Sequence, residues 1–283
     1  MKLARLGELG HEIPVVIDGD TTFDISALRT DFNAEFFESG GLDEVRSALL
    51  ADDLPEVPYP TSMRIGAPIA RPSAVVCVGM NYAAHAAESG AEPPTEPILF
   101  LKTPNTVVGP NDSVKIPRNS VATDWEVELG IVIGARAANL ERREDSPNHI
   151  AGFVMANDVS ERDYQLKSPG GQWSKGKCAP GFNPVGPWLV TSDSIDHKNL
   201  RLRSWVNGET RQDSSTSDMI FDVDYIVWYV SQFLTLEPGD LVLTGTPEGV
   251  ALSGRFPFLA DQDVVEMEIE GLGHQRQEFV RSE

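Results

Sequence analysis

Thr123-Asp124-Trp125-Glu126-Val127-Glu128-Leu129-Gly130-Ile131-Val132-Ile133 alternates apolar residues (Trp125, Val127, Leu129, Ile131, Ile133) with Asp124, Glu126 and Glu128. A period of two is the pattern of a half-buried strand, so one face is expected to be apolar and the other acidic. Same-face neighbours on a strand lie roughly 6 to 7 Å apart, which brings Glu126 and Glu128 within reach of a single cation. A hard divalent ion such as Mg2+, held at about 2.0 to 2.1 Å by one or two carboxylates plus waters, would relieve their repulsion and leave positions open for a substrate. An edge strand with a solvated acidic face is the competing reading, and spacing alone does not separate the two.

At 283 residues the chain can form one large domain with an appendage, or two small ones, and either buries a substantial core. Lys and Arg number 23 against 43 Asp and Glu, a formal charge of -20 that argues against nucleic acid or an anionic membrane as partner. Cys77 and Cys178 form neither a CxxC nor a zinc spacing and read as reduced thiols of a cytoplasmic protein. No cationic leader with an apolar core opens the chain, and no apolar run reaches about 18 residues, so neither secretion nor membrane spanning is expected.

Residues 1–68 are expected to form a small N-terminal α/β domain, with residues 69–283 as the second domain. Lys2–Leu6, Pro14–Ile17 and Thr22–Ile25 read as strands, with Asp18-Gly19-Asp20 as a hairpin turn, and the spacing turns helical over Leu42–Leu50. Pro55, Pro58, Pro60, Pro68 and Pro72 then stiffen a connection that can continue neither a helix nor a ladder. Nothing in the first segment forms a recognisable site, so its expected role is packing or contact between copies.

The second region opens with a buried strand over Ala74–Gly79 and an Ala-rich helical segment over Asn81–Glu88. His85 and Glu88 sit three apart and share a helix face. Among the five histidines His85 alone lies in an Ala-rich helical segment with a carboxylate at helical spacing, as a general base needs, although a chance surface pair reads the same way. The Pro-rich loop 89–97 after it makes that helix a candidate lid and leads into a strand over Ile98–Lys102. Asp158 ends the apolar run that begins at Ile150, where a strand end presents a ligand, or else it caps a helix. Gly171-Gln172-Trp173-Ser174-Lys175-Gly176-Lys177-Cys178 nearly spells a phosphate-cradling loop. Cys178 replaces the required hydroxyl, and no buried strand precedes it, so Lys177 remains as a loop cation able to balance the carboxylates. The remainder is β-rich: a strand over Leu200–Val206, an Asn207-Gly208 hairpin turn, a helix over Asp224–Phe233, a strand over Leu241–Thr244, a Gly245–Val250 turn able to hold a carboxylate, and a last strand over Val264–Ile269.

Gly79-Met80-Asn81-Tyr82 with His85 and Glu88, the Glu126-Val127-Glu128 strand, Asp158 with Arg162 and Gln165, the Lys177 loop and Thr244-Gly245-Thr246-Pro247 occur in this order. Together they resemble the fumarylacetoacetate hydrolase family over about residues 70 to 275. The resemblance implies an α+β, β-rich fold, a mixed β-sandwich roll that is usually homodimeric. It implies Mg2+ or Mn2+ on Glu126, Glu128 and Asp158, and cleavage of a C–C bond in a 2,4-dioxo acid through a metal-chelated enolate. It makes His85 the base, Glu88 its orienter, Lys177 and Gln165 the stabilisers of negative charge, and Arg162, Thr246 and Tyr82 the substrate contacts, with Arg162 pairing either with substrate or with the ligand carboxylates. The N-terminal segment and the Gly170–Trp173 and Gly271–Gln277 stretches look most like the branch acting on 2,4-diketo-3-deoxy sugar acids, often labelled ureidoglycolate lyases. Two departures stand out. Asn81 lies near the position where fumarylacetoacetases proper add a fourth carboxylate, and Cys178–Phe182 replaces the sequence usual after the lysine.

Three carboxylates against a divalent ion and Lys177 bring the expected site near neutrality, so a chelating substrate carboxylate needs a further donor, for which Thr246 and Arg162 are the candidates. Oxaloacetate decarboxylation or 2-oxo acid isomerisation would use the same metal site without an ordered His85–Glu88 pair, and a non-catalytic metal or ligand-binding module is the alternative from another class.

Overall fold

The computed structural model describes residues 1–57 and 63–282; Pro58 and Pro60 of the expected Pro-rich connection lie outside the described residues. An 11-stranded sheet runs through the molecule. Its middle is Leu189–Thr191, Ile150–Asn157, Val127–Ile133, Leu241–Leu243, Val75–Gly79 and Ile98–Lys102 in that spatial order, antiparallel except for the parallel pair Leu241–Leu243 and Val75–Gly79. A five-stranded sheet, Glu209–Ser215, Arg201–Val206, Val264–Ile269, Gly273–Arg281 and Val114–Ile116, stacks on one face. Asn207 and Gly208 both take positive φ (53° and 79°), the left-handed pair that the hairpin turn needs.

Val127–Ile133 is neither an edge strand nor half-buried: it pairs on both sides, and all seven of its residues are buried. Val127, Leu129, Ile131 and Ile133 pack with Leu202, Met267 and other residues of the second sheet. Val132, on the opposite face, joins a second cluster with Phe32, Phe36 and Val45. Each such side chain contributes about 1.5–3 kcal/mol relative to exposure. Glu128 of this strand, and Asp124 and Glu126 just before it, therefore stand in the interior, where they need partners.

The expected first domain adds strands to the main sheet. Lys2–Leu6 pairs with Leu189–Thr191, Ile13–Asp18 with Lys2–Leu6, and Thr21–Asp24 closes the expected hairpin. The helices Ala34–Glu38 and Gly41–Leu50 lay Phe36, Phe37 and Val45 over that sheet's second face, against Val75, Cys77 and Val154. Residues 1–57 thus share a core with the rest, because their apolar stripe has the sheet's back to cover. The chain after Ile269 is a further strand, Gly273–Arg281, beyond the Val264–Ile269 strand expected to be the last. Among the described residues no helix is long and apolar enough to cross a membrane.

Candidate metal centre and active site

Glu126 stands in the break between the short strand Thr123–Asp124 and Val127–Ile133, Glu128 lies in the latter, and Asp158 follows Ile150–Asn157 on the neighbouring strand. The Val127↔Asn157 register and the Asp158 N–H donating to Glu126 O at 2.9 Å bring the three residues to one end of a strand pair. One carboxylate oxygen from each lies within 4.8 Å of the others, and all three residues are buried. Asp158 caps no helix.

These carboxylates are held unequally. Lys177 Nζ donates to Glu126 Oε2 at 2.6 Å and Asp158 Oδ2 at 2.8 Å, and Arg162 donates to Glu126 Oε1 at 2.7 Å. Glu128 accepts a hydrogen bond from the Gly245 N–H at 2.8 Å and makes no ion pair among the described residues. Burial alone would raise the Glu126 pKa, but Lys177 and Arg162 outweigh it and bring it down to about 2. Burial, then Asp158 and Glu126, push Glu128 well above the usual carboxylate range. Lys177 is pushed up: burial opposes its charge, but Asp158 and Glu126 more than compensate. A buried carboxylate repelled by two others and offered one backbone donor suits a hard cation with oxygen ligands. Gly245 is required where it stands, because its φ of +96° disfavours other residues and a Cβ would meet Asn81 Cβ at 2.8 Å.

Glu126, Glu128 and Lys177 face a cavity of about 640 Å³ that His85, Glu88 and Gln165 also line. The helix carrying the first pair is Ala83–Glu88, and His85 Nδ1 lies 3.0 Å from Glu88 Oε1. Glu88 also accepts from the Gly249 N–H at 3.0 and 3.1 Å, so the helix is tied to the turn that follows Thr246. With Nδ1 engaged, Nε2 is the ring nitrogen left for the cavity, in the tautomer a base needs.

Residues 74–280 match the family model described as fumarylacetoacetate (FAA) hydrolase C-terminal. The chain belongs to the fumarylacetoacetate hydrolase family. It is an enzyme of that family and carries its mixed β-sandwich roll. It is 42% identical over 283 residues to a 2,4-didehydro-3-deoxy-L-rhamnonate hydrolase of a Sphingomonas species, covering 98% of this chain and 95% of that one. Among solved structures it is similar to a fumarylacetoacetate hydrolase from Exiguobacterium antarcticum, with TM-score 0.84, 33% identity and full coverage of both chains. It is also similar to maleylpyruvate hydrolase from a Sphingobium species in complex with manganese (II) ion and pyruvate, with TM-score 0.81, 27% identity and full coverage of both.

The three expected substrate contacts of this family member are placed unequally: Arg162 and Thr246 line the cavity and Tyr82 does not. Tyr82 is 1% exposed and packs in the core, not on the cavity wall, because its backbone bridges to Met219 and its ring joins the cluster between the sheets. Arg162 lines the cavity, but its guanidinium is committed to Asp124 (2.8 Å), Glu126 (2.7 Å) and Gln165 Oε1 (2.9 Å). It therefore pairs with Glu126, a candidate ligand carboxylate, which is one of its two expected tasks. Thr246 also lines the cavity, yet its hydroxyl donates to Val127 O and accepts from Gln212 Nε2, so that proton is unavailable to a substrate carboxylate.

Two charged groups were missed. Lys102 is fully buried; its ammonium pairs with Asp158 Oδ1 and donates to Phe182 O at 2.8 Å. Asp124 was seen only as part of the acidic face, and it accepts from Arg162, Ala251 N–H and Leu252 N–H. Lys102 ends a run of four apolar residues, Ile98–Leu101, and nothing local signals a partner 56 residues away. Asn81 spends its amide on Phe221 and on Thr244 O, fastening two loops together with no ligand role.

Proposed function

We propose that this protein is an Mg2+- or Mn2+-dependent hydrolase cleaving the C3–C4 bond of a 2,4-dioxo acid, either a 2,4-diketo-3-deoxy sugar acid or an acylpyruvate. The observation that carries the reading is the buried Glu126–Glu128–Asp158 cluster, whose Glu126 and Glu128 line the same cavity as a formed His85–Glu88 pair. The rhamnonate hydrolase and the manganese- and pyruvate-bound maleylpyruvate hydrolase support it as relatives. A working homodimer and a cytoplasmic location belong to the same proposal, the first on the family resemblance, the second on two free thiols.

A divalent ion held by Glu126, Glu128 and Asp158 would act as a Lewis acid toward the carboxylate and 2-oxo group of the substrate. His85, oriented by Glu88, takes a proton from water at Nε2, and the oxygen of that water bonds to C4. The C3–C4 bond breaks with its electron pair passing into the 2-oxo acid unit, where Lys177 and Gln165 border the developing charge. C4 leaves as a carboxylic acid, and C3 recovers a proton from His85 to give pyruvate. Decarboxylation or isomerisation needs no attacking water, so the ordered His85–Glu88 pair favours hydrolysis.

A panel of 2-oxo and 2,4-dioxo acids, assayed for pyruvate release with Mg2+, with Mn2+ and with EDTA, tests the reading. Pyruvate from 2,4-dioxo acids, abolished by EDTA and by His85→Ala, is expected. Absence of pyruvate from every 2,4-dioxo acid with either metal refutes it.

A further inference from the structure

We infer that the substrate carries one carboxylate only and that the group on C4 is uncharged; the inference deepens the hydrolase reading above and rests on it. Charge is the first argument. Glu126, Glu128 and Asp158 face two buried ammonium groups, Lys177 and Lys102, while Arg162 is balanced by Asp124. Three negative charges against two positive ones leave -1, and a divalent ion takes the set to +1. The 1-carboxylate of a 2-oxo acid brings it to neutrality, and no surplus remains for a second carboxylate buried nearby.

The rest of the cavity points the same way. Its wall beyond the carboxylates is apolar: Ile98, Phe100, Leu166, Trp173 and Leu252. Phe100 begins that wall, its ring centroid 5.1 Å from Lys177 Nζ, and Trp173 extends it, edge-on to Phe100 at 5.6 Å. Trp173 reaches this place only because residue 79 is glycine, since a Cβ there would lie 2.4 Å from Trp173 Cζ3. The charged groups on this side are the acids Glu88 and Glu92, and among the described residues the lining holds no lysine or arginine besides Arg162 and Lys177, both already paired. Arg255 does not line the cavity; it stands 3.9 Å from Glu88 and stacks over Phe256. Ser89 adds a buried hydroxyl without a hydrogen-bond partner, which can meet a hydroxyl or carbonyl but cannot neutralise a carboxylate. A tail with a terminal carboxylate would thus be desolvated against apolar walls and repelled by two acids. A short alkyl or hydroxyalkyl tail meets no such penalty.

The test uses pairs matched in chain length. Binding is read by calorimetry with Mg2+ present, comparing 2-oxohexanoate with 2-oxoadipate, and turnover is read as kcat/KM for 2,4-dioxohexanoate against 2,4-dioxoadipate. The monocarboxylates are expected to be favoured by at least about tenfold in both measurements. Glu92→Lys should narrow that ratio by about tenfold, at about threefold per unit charge in a water-like dielectric. Hydrolysis of both dioxo acids with the dicarboxylate equal or preferred overturns the inference and leaves the hydrolase reading standing. Hydrolysis of neither sinks that reading and takes the inference with it. An unchanged ratio in Glu92→Lys removes the mouth acids from the argument and counts against it.

Discussion

Glu126→Gln and Glu128→Gln, two substitutions of identical chemistry two residues apart, should change the stability of the metal-free protein in opposite directions. Glu126 is held ionised by Lys177 and Arg162, and its drop from 4.5 to about 2, at roughly 1.4 kcal/mol per pH unit, corresponds to about 3 kcal/mol. A neutral amide forfeits most of that and leaves two buried cations short of a counter-charge. Glu128 has one backbone donor and two carboxylate neighbours, so neutralising it relieves repulsion while the amide can still accept from Gly245. The pH dependence follows from the same directions. The Glu126 contribution is complete above 4.5 and is lost as pH falls toward 2. Glu128 contributes only while protonated, fully below 4.5, and that contribution is lost as pH rises through its elevated value. Urea unfolding at pH 7.5 in EDTA should therefore show Glu126→Gln about 3 kcal/mol less stable than wild type and Glu128→Gln at least as stable. Saturating Mg2+ at about a hundredfold over its dissociation constant should stabilise wild type by about 2.7 kcal/mol and both variants by less. Equal destabilisation of the two variants in EDTA would refute the unequal support argued for these carboxylates.

Lys102→Met should cost about 3–5 kcal/mol in urea unfolding, because Asp158 loses one of two buried counter-ions and Phe182 O loses its donor; a loss under about 1 kcal/mol would show that the ammonium is dispensable. His85→Ala should lower 2,4-dioxo acid hydrolysis by roughly 10²–10⁴-fold while Mg2+ affinity stays within about threefold, since His85 is not among the three metal-site carboxylates. Equal loss of hydrolysis and of any oxaloacetate decarboxylation would count against its role as the base for water. His197 stacks on Phe153 at 4.5 Å, and burial depresses its pKa, so it favours the fold above 6.5 and that contribution is lost as pH falls through its folded value. The stability gap between wild type and His197→Phe should accordingly shift toward the variant between pH 8 and pH 5, and a shift the other way would contradict the burial argument.

Much of this molecule was legible in order along the chain. Alternation found the strand that carries Glu128 and begins just after Glu126, helical spacing found His85 with Glu88, and Asn207-Gly208 marked its turn, because each pattern is written in neighbours a few residues apart. Periodicity tells which residues share a face but not what covers it. The acidic face of the central strand therefore reads as half-solvated when it is buried, and nothing near Lys102 in the sequence shows that it neutralises Asp158. The tasks of Arg162, Thr246 and Tyr82 were likewise settled by partners brought in from far along the chain: Asp124, Val127 with Gln212, and Met219. The sequence by itself determined that acids, a base and a cation would gather near one strand end. Only the tertiary structure decided which of them are already paired and which remain for a ligand, because inside a low-dielectric core a charge is defined by its partner, and those partners arrive only when the sheet closes.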